Sequence, residues 1–206
     1  MVLRSERLSI RTWQRHDDEL ADRWPPYNDP LDPLWNLTRS FSPDFTWGGF
    51  DFGVRRTWAV DDRDGHLMGR ISLREVDERR GRARLGITFG APYVGRGLGT
   101  EAMRLFLDYY FTDLGFQAMV LDVAGPNQRA VRSYISLGFQ RIGDDWRNAT
   151  SAFDSRILHQ PQYAPLRQFF RYHHNHLQVQ FFEMELLKQE WQARRAKERA
   201  AGGTPS

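Results

Sequence analysis

The sequence predicts an α/β (α+β) fold in which a mixed, mostly antiparallel twisted sheet is flanked by helices. Three observations carry that reading. Residues 57–60, 67–76 and 83–89 are three strand-like stretches separated by short polar turns. A glycine cluster at Gly95, Gly97 and Gly99 then runs straight into an amphipathic helix. Beyond that helix, a buried strand and a second helix follow over residues 117–124 and 127–137.

Each element has its own signal. Leu8, Ile10 and Thr12 alternate with polar residues, the period-two pattern of a half-buried opening strand. Residues 15–24 read as a helix that Pro25 and Pro26 stop, since proline has no N–H for the helical ladder. Residues 27–52, rich in Pro, Asp, Gly, Trp and Phe without clean periodicity, read as loops or short helices. The turn 61–65 ends in Gly65, which can take a positive φ and so joins its flanking strands as a hairpin. Leu85, Ile87 and Phe89 alternate in the third strand, and Gly138 closes the second helix as a left-handed cap. Residues 177–187 alternate as a closing strand, delayed by an insertion at about 146–175, and 188–200 form a charged helix. The organisation read from this is one domain over residues 1–200 and a disordered tail at 201–206.

Composition excludes several classes. A chain of 206 residues can bury a sizeable core, and no apolar run approaches the roughly 20 residues of a membrane span. The first ten residues lack the apolar stretch of a signal peptide, and there is no cysteine for a disulfide framework or a thiolate metal site. A cytoplasmic protein is therefore expected. Its 29 basic and 26 acidic residues fall far short of a concentrated basic stripe, so neither nucleic acid nor membrane is an expected partner. Arginines cluster at 79, 80, 82 and 84 and again, with Lys197, at 194, 195 and 199; both groups read as solvated, on a hairpin and at a helix end.

The glycine loop carries the chemistry. A helix start leaves N–H groups without intrahelical partners and adds about half a positive charge, so it attracts anions. Glycines there let the main chain approach a large anion, for which a pyrophosphate is the natural candidate; a plain tight turn is the bland alternative. The P-loop pattern G-x-x-x-x-G-K-S/T is missing, and the 95–97–99 spacing departs from the dinucleotide fingerprint G-x-G-x-x-G.

The run Gly90-Ala91-Pro92-Tyr93-Val94-Gly95-Arg96-Gly97-Leu98-Gly99-Thr100-Glu101-Ala102 resembles the acetyl-CoA pyrophosphate loop of GNAT superfamily N-acetyltransferases, with core Q/R-x-x-G-x-G/A. Gly97 and Gly99 fall on its small positions, while Val94 departs from the usual Gln or Arg. Residues 127–139, beginning at Asn127 and including Ala130, Tyr134, Gly138 and Phe139, look like the family's N-x-x-A-x-x-x-Y-x-x-x-G-F segment. The opening residues 3–11 and the Gly-Thr-Glu-Ala at 99–102 are closest to the branch containing ribosomal-protein alanine N-acetyltransferases, which also includes enzymes for antibiotics, polyamines and small amines.

This resemblance implies a sheet splayed between two central strands to admit acetyl-CoA as co-substrate, with no metal. It implies direct attack of a neutral primary amine, of a protein N-terminus or a small molecule, on the thioester. Cofactor contacts then fall on Ile87, Thr88 and Phe89 for the pantetheine, on Val94, Gly95, Arg96, Gly97, Leu98, Gly99 and Thr100 for the pyrophosphate, and on Asn127 and Ser133. Tyr134 matches the family's general acid, protonating the leaving thiolate. Asp122 stands where some relatives carry a glutamate base; Glu75, Asp77 and a water chain are rival routes, and a structural acid paired with an arginine is the alternative role for Asp122. A homodimer is a possible assembly, since such proteins often pair through C-terminal strands.

The insertion holds His159, His173, His174 and His176, which lack acidic or cysteine partners at ligand spacing and read as exposed helix-end residues, not a metal site. A cover over the amine site or a dimer contact is its expected role. Trp35, Phe41, Phe45, Trp47 and Phe50 are candidates for shaping the substrate pocket. The rival function class is a non-catalytic acyl-CoA-binding sensor or structural domain that kept the loop.

Overall fold

The computed structural model describes residues 2–37 and 56–202. One sheet runs through it, built from β1 (Val2–Arg4), β2 (Leu8–Thr12), β3 (Arg56–Asp62), β4 (Leu67–Asp77), β5 (Arg82–Phe89), β6 (Ala118–Ala124), β7 (Gln140–Asn148), β8 (Phe170–His173) and β9 (His176–Leu187). The helices are α1 (His16–Asp22), α2 (Leu98–Thr112), α3 (Gln128–Leu137) and α4 (Lys188–Ala200). Strand order is β1-β2-β3-β4-β5-β6-β9-β7, with β8 folded back on β9. All pairs are antiparallel except β5 with β6, so the mixed, mostly antiparallel sheet expected from the sequence is present.

That one parallel pair is short. β5 and β6 are joined at Arg82–Ala118, Ala83–Met119 and Arg84–Val120, and there the ladder stops although β5 continues to Phe89 and β6 to Ala124. The sheet forks at this point, which is the splay the resemblance implies.

Side-chain alternation sorts the residues of β6 and β9 onto two faces. Leu121 and Val123 of β6 join Phe182, Met184 and Leu186 of β9 and Phe106, Leu107 and Phe111 of α2 in the main apolar cluster. Ala124 of β6 joins Val179 and Phe181 of β9, Phe153, and Leu31 and Leu34 from the short 3₁₀ turn Asp32–Leu34 in a second cluster on the opposite face. Burying such side chains stabilises by about 1.5–3 kcal/mol each, so the chain before residue 38 is anchored on this face against β6 and β9.

Two elements differ from the sequence expectation. β7, directly after Phe139, is a strand that the sequence pattern does not announce: it is an edge strand with mostly exposed residues and a register shift between Arg141 and Gly143, and therefore lacks an alternating apolar signature, whereas the closing strand expected at 177–187 is present as β9. The histidines at 173, 174 and 176 lie on a hairpin turn, not a helix end: His174 and Asn175 take φ of 44° and 61°, and the rings of His173 and His174 are 4.0 Å apart. The insertion otherwise consists of 3₁₀ segments Ser155–His159 and Pro161–Phe169, packed into the second cluster beside Leu31 and Leu34. The pocket-shaping role expected of Phe41, Phe45, Trp47 and Phe50, and the disorder expected of the tail beyond Gly202, fall on residues outside those described.

Candidate active site

The open arm of β5 comes first. Gly90 donates its N–H to the Met68 carbonyl, so strand alternation turns Thr88 and Gly86 toward β4 and leaves the main chains of Leu85, Ile87 and Phe89 facing the fork. Two of the three positions expected to pair with pantetheine, Ile87 and Phe89, therefore present main-chain groups there, whereas Thr88 is turned away into the β4 ladder. Tyr27, which sequence reasoning missed, donates its hydroxyl to the Phe89 carbonyl. It sits in the aperiodic stretch after α1, where no pattern singles out one tyrosine.

At the fork's mouth, Gly95 and Gly97 take φ of 82° and 77°, a left-handed backbone that only glycine adopts cheaply. Gly97 is the N-cap of α2, and no side chain caps the helix; its first ladder bond runs from the Glu101 N–H to the Gly97 carbonyl. The N–H groups of Leu98, Gly99 and Thr100 thus precede the helical ladder and, among the described residues, have no partner, the arrangement that attracts an anion. Val94 packs against the main core, while the Arg96 side chain is exposed beside the loop.

α3 lies against this start. Thr100 and Ser133 share a hydroxyl–hydroxyl hydrogen bond of 2.7 Å, bringing two of the predicted cofactor residues together. Asn127 caps α3, its side-chain oxygen accepting from the Ala130 N–H at 3.2 Å, so its amide N–H₂ is what remains for a ligand. Tyr134, the residue after Ser133, packs edge-on to Phe139 with ring centroids 5.8 Å apart. Burial pushes its hydroxyl up to about 12, so it holds its proton at neutral pH.

The fork's root is ionic. Arg84, at the last paired position of β5, is 5% exposed, which corrects its reading as a solvated hairpin residue. Its guanidinium donates to Glu75 at 2.8 Å, Asp122 at 2.7 Å and Glu183 at 2.9 Å, tying β4, β6 and β9 together. Arg147 of β7, also buried, lies 3.4 Å from the other oxygen of Asp122 and donates to Asp145 and to the Leu37 carbonyl. Both oxygens of Asp122 are therefore engaged by guanidinium groups, the structural-acid arrangement. Of the rival bases, Glu75 is held by Arg84 and Asp77 accepts the Arg80 N–H in its turn.

Residues 7–140 match the acetyltransferase (GNAT) domain family, and the chain belongs to that family. It is 36% identical over 85 residues to spermidine N(1)-acetyltransferase of Escherichia coli (strain K12), a match covering 41% of this chain and 46% of that protein. The chain thus spans about half the length of that relative. An uncharacterized N-acetyltransferase, p20, of Bacillus licheniformis is 30% identical over 152 residues, covering 69% of this chain and 84% of p20. In fold, the chain is similar to the crystal structure of spermidine N-acetyltransferase from Vibrio cholerae in complex with CoA and spermine, with a TM-score of 0.65, 17% identity and coverage of 91% and 99%. These relatives do not single out the ribosomal-protein alanine branch.

Proposed function

We propose that this protein transfers an acetyl group from acetyl-CoA to a primary amine of a small molecule, with polyamines the foremost class. The observation that carries the reading is the convergence at one fork of an open β5 edge, uncapped N–H groups of α2 and, on the adjoining α3, a protonated Tyr134. The relatives named for spermidine acetylation support the substrate class, and the Vibrio cholerae structure, which holds CoA, supports the donor.

In this reading the pyrophosphate lies on the N–H groups of residues 95–100 and the pantetheine runs along Ile87 and Phe89, with Asn127 and Ser133 beside it. The amine nitrogen attacks the thioester carbonyl, the carbon–sulfur bond breaks, and Tyr134 meets the departing sulfur. A tyrosine near 12 is a weaker acid than an ordinary thiol near 8.5, so its contribution is a hydrogen bond that strengthens as thiolate charge develops. Asp122 acts as a structural acid at the fork's root, and the amine proton leaves through water. In the same reading residues 1–200 act as one domain, the insertion covers the amine side, and the working form is a cytoplasmic homodimer.

The test is thiol release from acetyl-CoA with polyamines, aminoglycosides and peptides of varied N-terminus, for wild type and Tyr134→Phe. Turnover on polyamines, slowed roughly a hundredfold in the variant with CoA binding intact, is the expected result. CoA binding without turnover on any acceptor would favour the non-catalytic acyl-CoA binder instead.

A further inference from the structure

The turn between β1 and β2 lies far from the glycine loop in sequence and touches it in space. Glu101, in the first turn of α2, is 8% exposed and accepts from the Ser5 hydroxyl at 2.7 Å and from Arg7 Nε at 2.6 Å; Arg7 Nη2 is 2.5 Å from the same carboxylate. The third guanidinium nitrogen, Nη1, donates to the Arg96 carbonyl at 3.2 Å, inside the loop itself. Nη2 also stands over Gly97, where a Cβ would meet it at 3.7 Å. A guanidinium has five N–H donors and these contacts use three, while the side chain remains 48% exposed.

This arrangement meets two needs of the loop. A carboxylate in the first turn of a helix is favourable for the helix alone, but it opposes a second anion at the same end. Arg7 cancels that charge and leaves donors over. Second, Val94 at the loop's start is apolar and turned into the core, so it offers nothing to a phosphate.

We propose that Arg7 is a pyrophosphate-binding residue, held by Glu101 and the Arg96 carbonyl so that its remaining N–H groups meet the phosphates of CoA over Gly97. This rests on the acetyl-CoA reading above, and the experiment separates the two. CoA is titrated calorimetrically into wild type, Arg7→Met and Arg7→Lys, and turnover on a responsive amine is compared with acetyl-CoA and with S-acetylpantetheine, which has no pyrophosphate.

The expected result is a CoA dissociation constant raised roughly tenfold in Arg7→Met and less in Arg7→Lys, the size of one lost charge-assisted contact. With acetyl-CoA, KM should rise while kcat holds; with S-acetylpantetheine, kcat/KM should stay within about twofold of wild type. A role in folding alone would depress both donors together and would overturn the proposal, as would unchanged CoA affinity in Arg7→Met. Should that variant not fold, wild-type affinity and an unchanged KM for acetyl-CoA in Arg7→Lys would overturn it as well. Wild type that binds no CoA would overturn the acetyl-CoA reading itself, and this inference with it.

Discussion

The two ends of the fork are built on opposite principles. At the root, Arg84 and Arg147 spend their donors on Glu75, Asp122, Glu183 and Asp145, and the two halves of the sheet are locked by charge across five strands. At the mouth, polar groups are left over among the described residues: the first N–H groups of α2 have no cap and the open arm of β5 has no strand beside it, while on the adjoining α3 Tyr134 keeps its proton. Satisfied polar groups hold a shape, and unsatisfied ones at a fixed shape wait for a ligand. The difference explains why a charged cluster beside the proposed site reads as scaffold and an almost chargeless glycine loop reads as the cofactor seat.

The largest expected effect tests the root. Replacing Arg84 by Met keeps most of the side-chain volume but leaves three carboxylates without their shared cation. Removing one partner of a buried ion pair costs about 3–5 kcal/mol, and chemical denaturation of Arg84→Met should show a loss of that order. If the variant loses less than about 1 kcal/mol, the root is not a charge lock, and the contrast between the two ends fails.

A smaller effect tests the mouth. Gly97 needs its left-handed backbone, whereas Gly99 has an ordinary one and an added Cβ there would meet only the Phe89 ring at 3.7 Å. Gly97→Ala should cost about 1–2 kcal/mol of stability from the left-handed conformation and raise the CoA dissociation constant several-fold. Gly99→Ala should change stability by less than half as much. Equal losses at the two positions would mean that the loop tolerates side chains by space alone and that its conformation carries nothing.

This contrast also marks how far the sequence could be read. The glycine loop, α2, β6 and α3 are local features: periodicity, a left-handed cap and two spaced motifs are written in consecutive residues, and the family resemblance those motifs carry is what implies roles for Tyr134, Ser133 and Asn127. The root is not local. Arg84 meets Asp122 and Glu183 across 38 and 99 positions, so nothing near Asp122 showed that its oxygens were taken. Arg7 and Glu101 are 94 positions apart, and both lie in stretches quoted for the family resemblance, yet their pairing appears only when the β1–β2 turn folds against α2. β7 escaped because an exposed edge strand needs no alternation. Sequence patterns report burial and backbone conformation well; they do not report which charges meet.

The smallest effect is a pH dependence, and it isolates Tyr134. Its hydroxyl is raised from 10.0 to about 12 by burial, so between those values the unfolded chain loses that proton while the folded chain keeps it. The folded state then binds more protons, and stability must fall as pH rises through this window, having been unaffected by this group below pH 10. Tyr110 is raised by burial too and adds to the same slope, so wild type alone cannot assign it. Subtracting Tyr134→Phe does: the variant's stability should fall less steeply between pH 10 and 12, by at most one proton's worth of slope, while the two proteins share one pH dependence below 10. Superimposable curves above pH 10 would place the hydroxyl in water, with an ordinary affinity for its proton. Tyr134 would then belong with the exposed groups outside the fork, and the mouth would hold no poised acid.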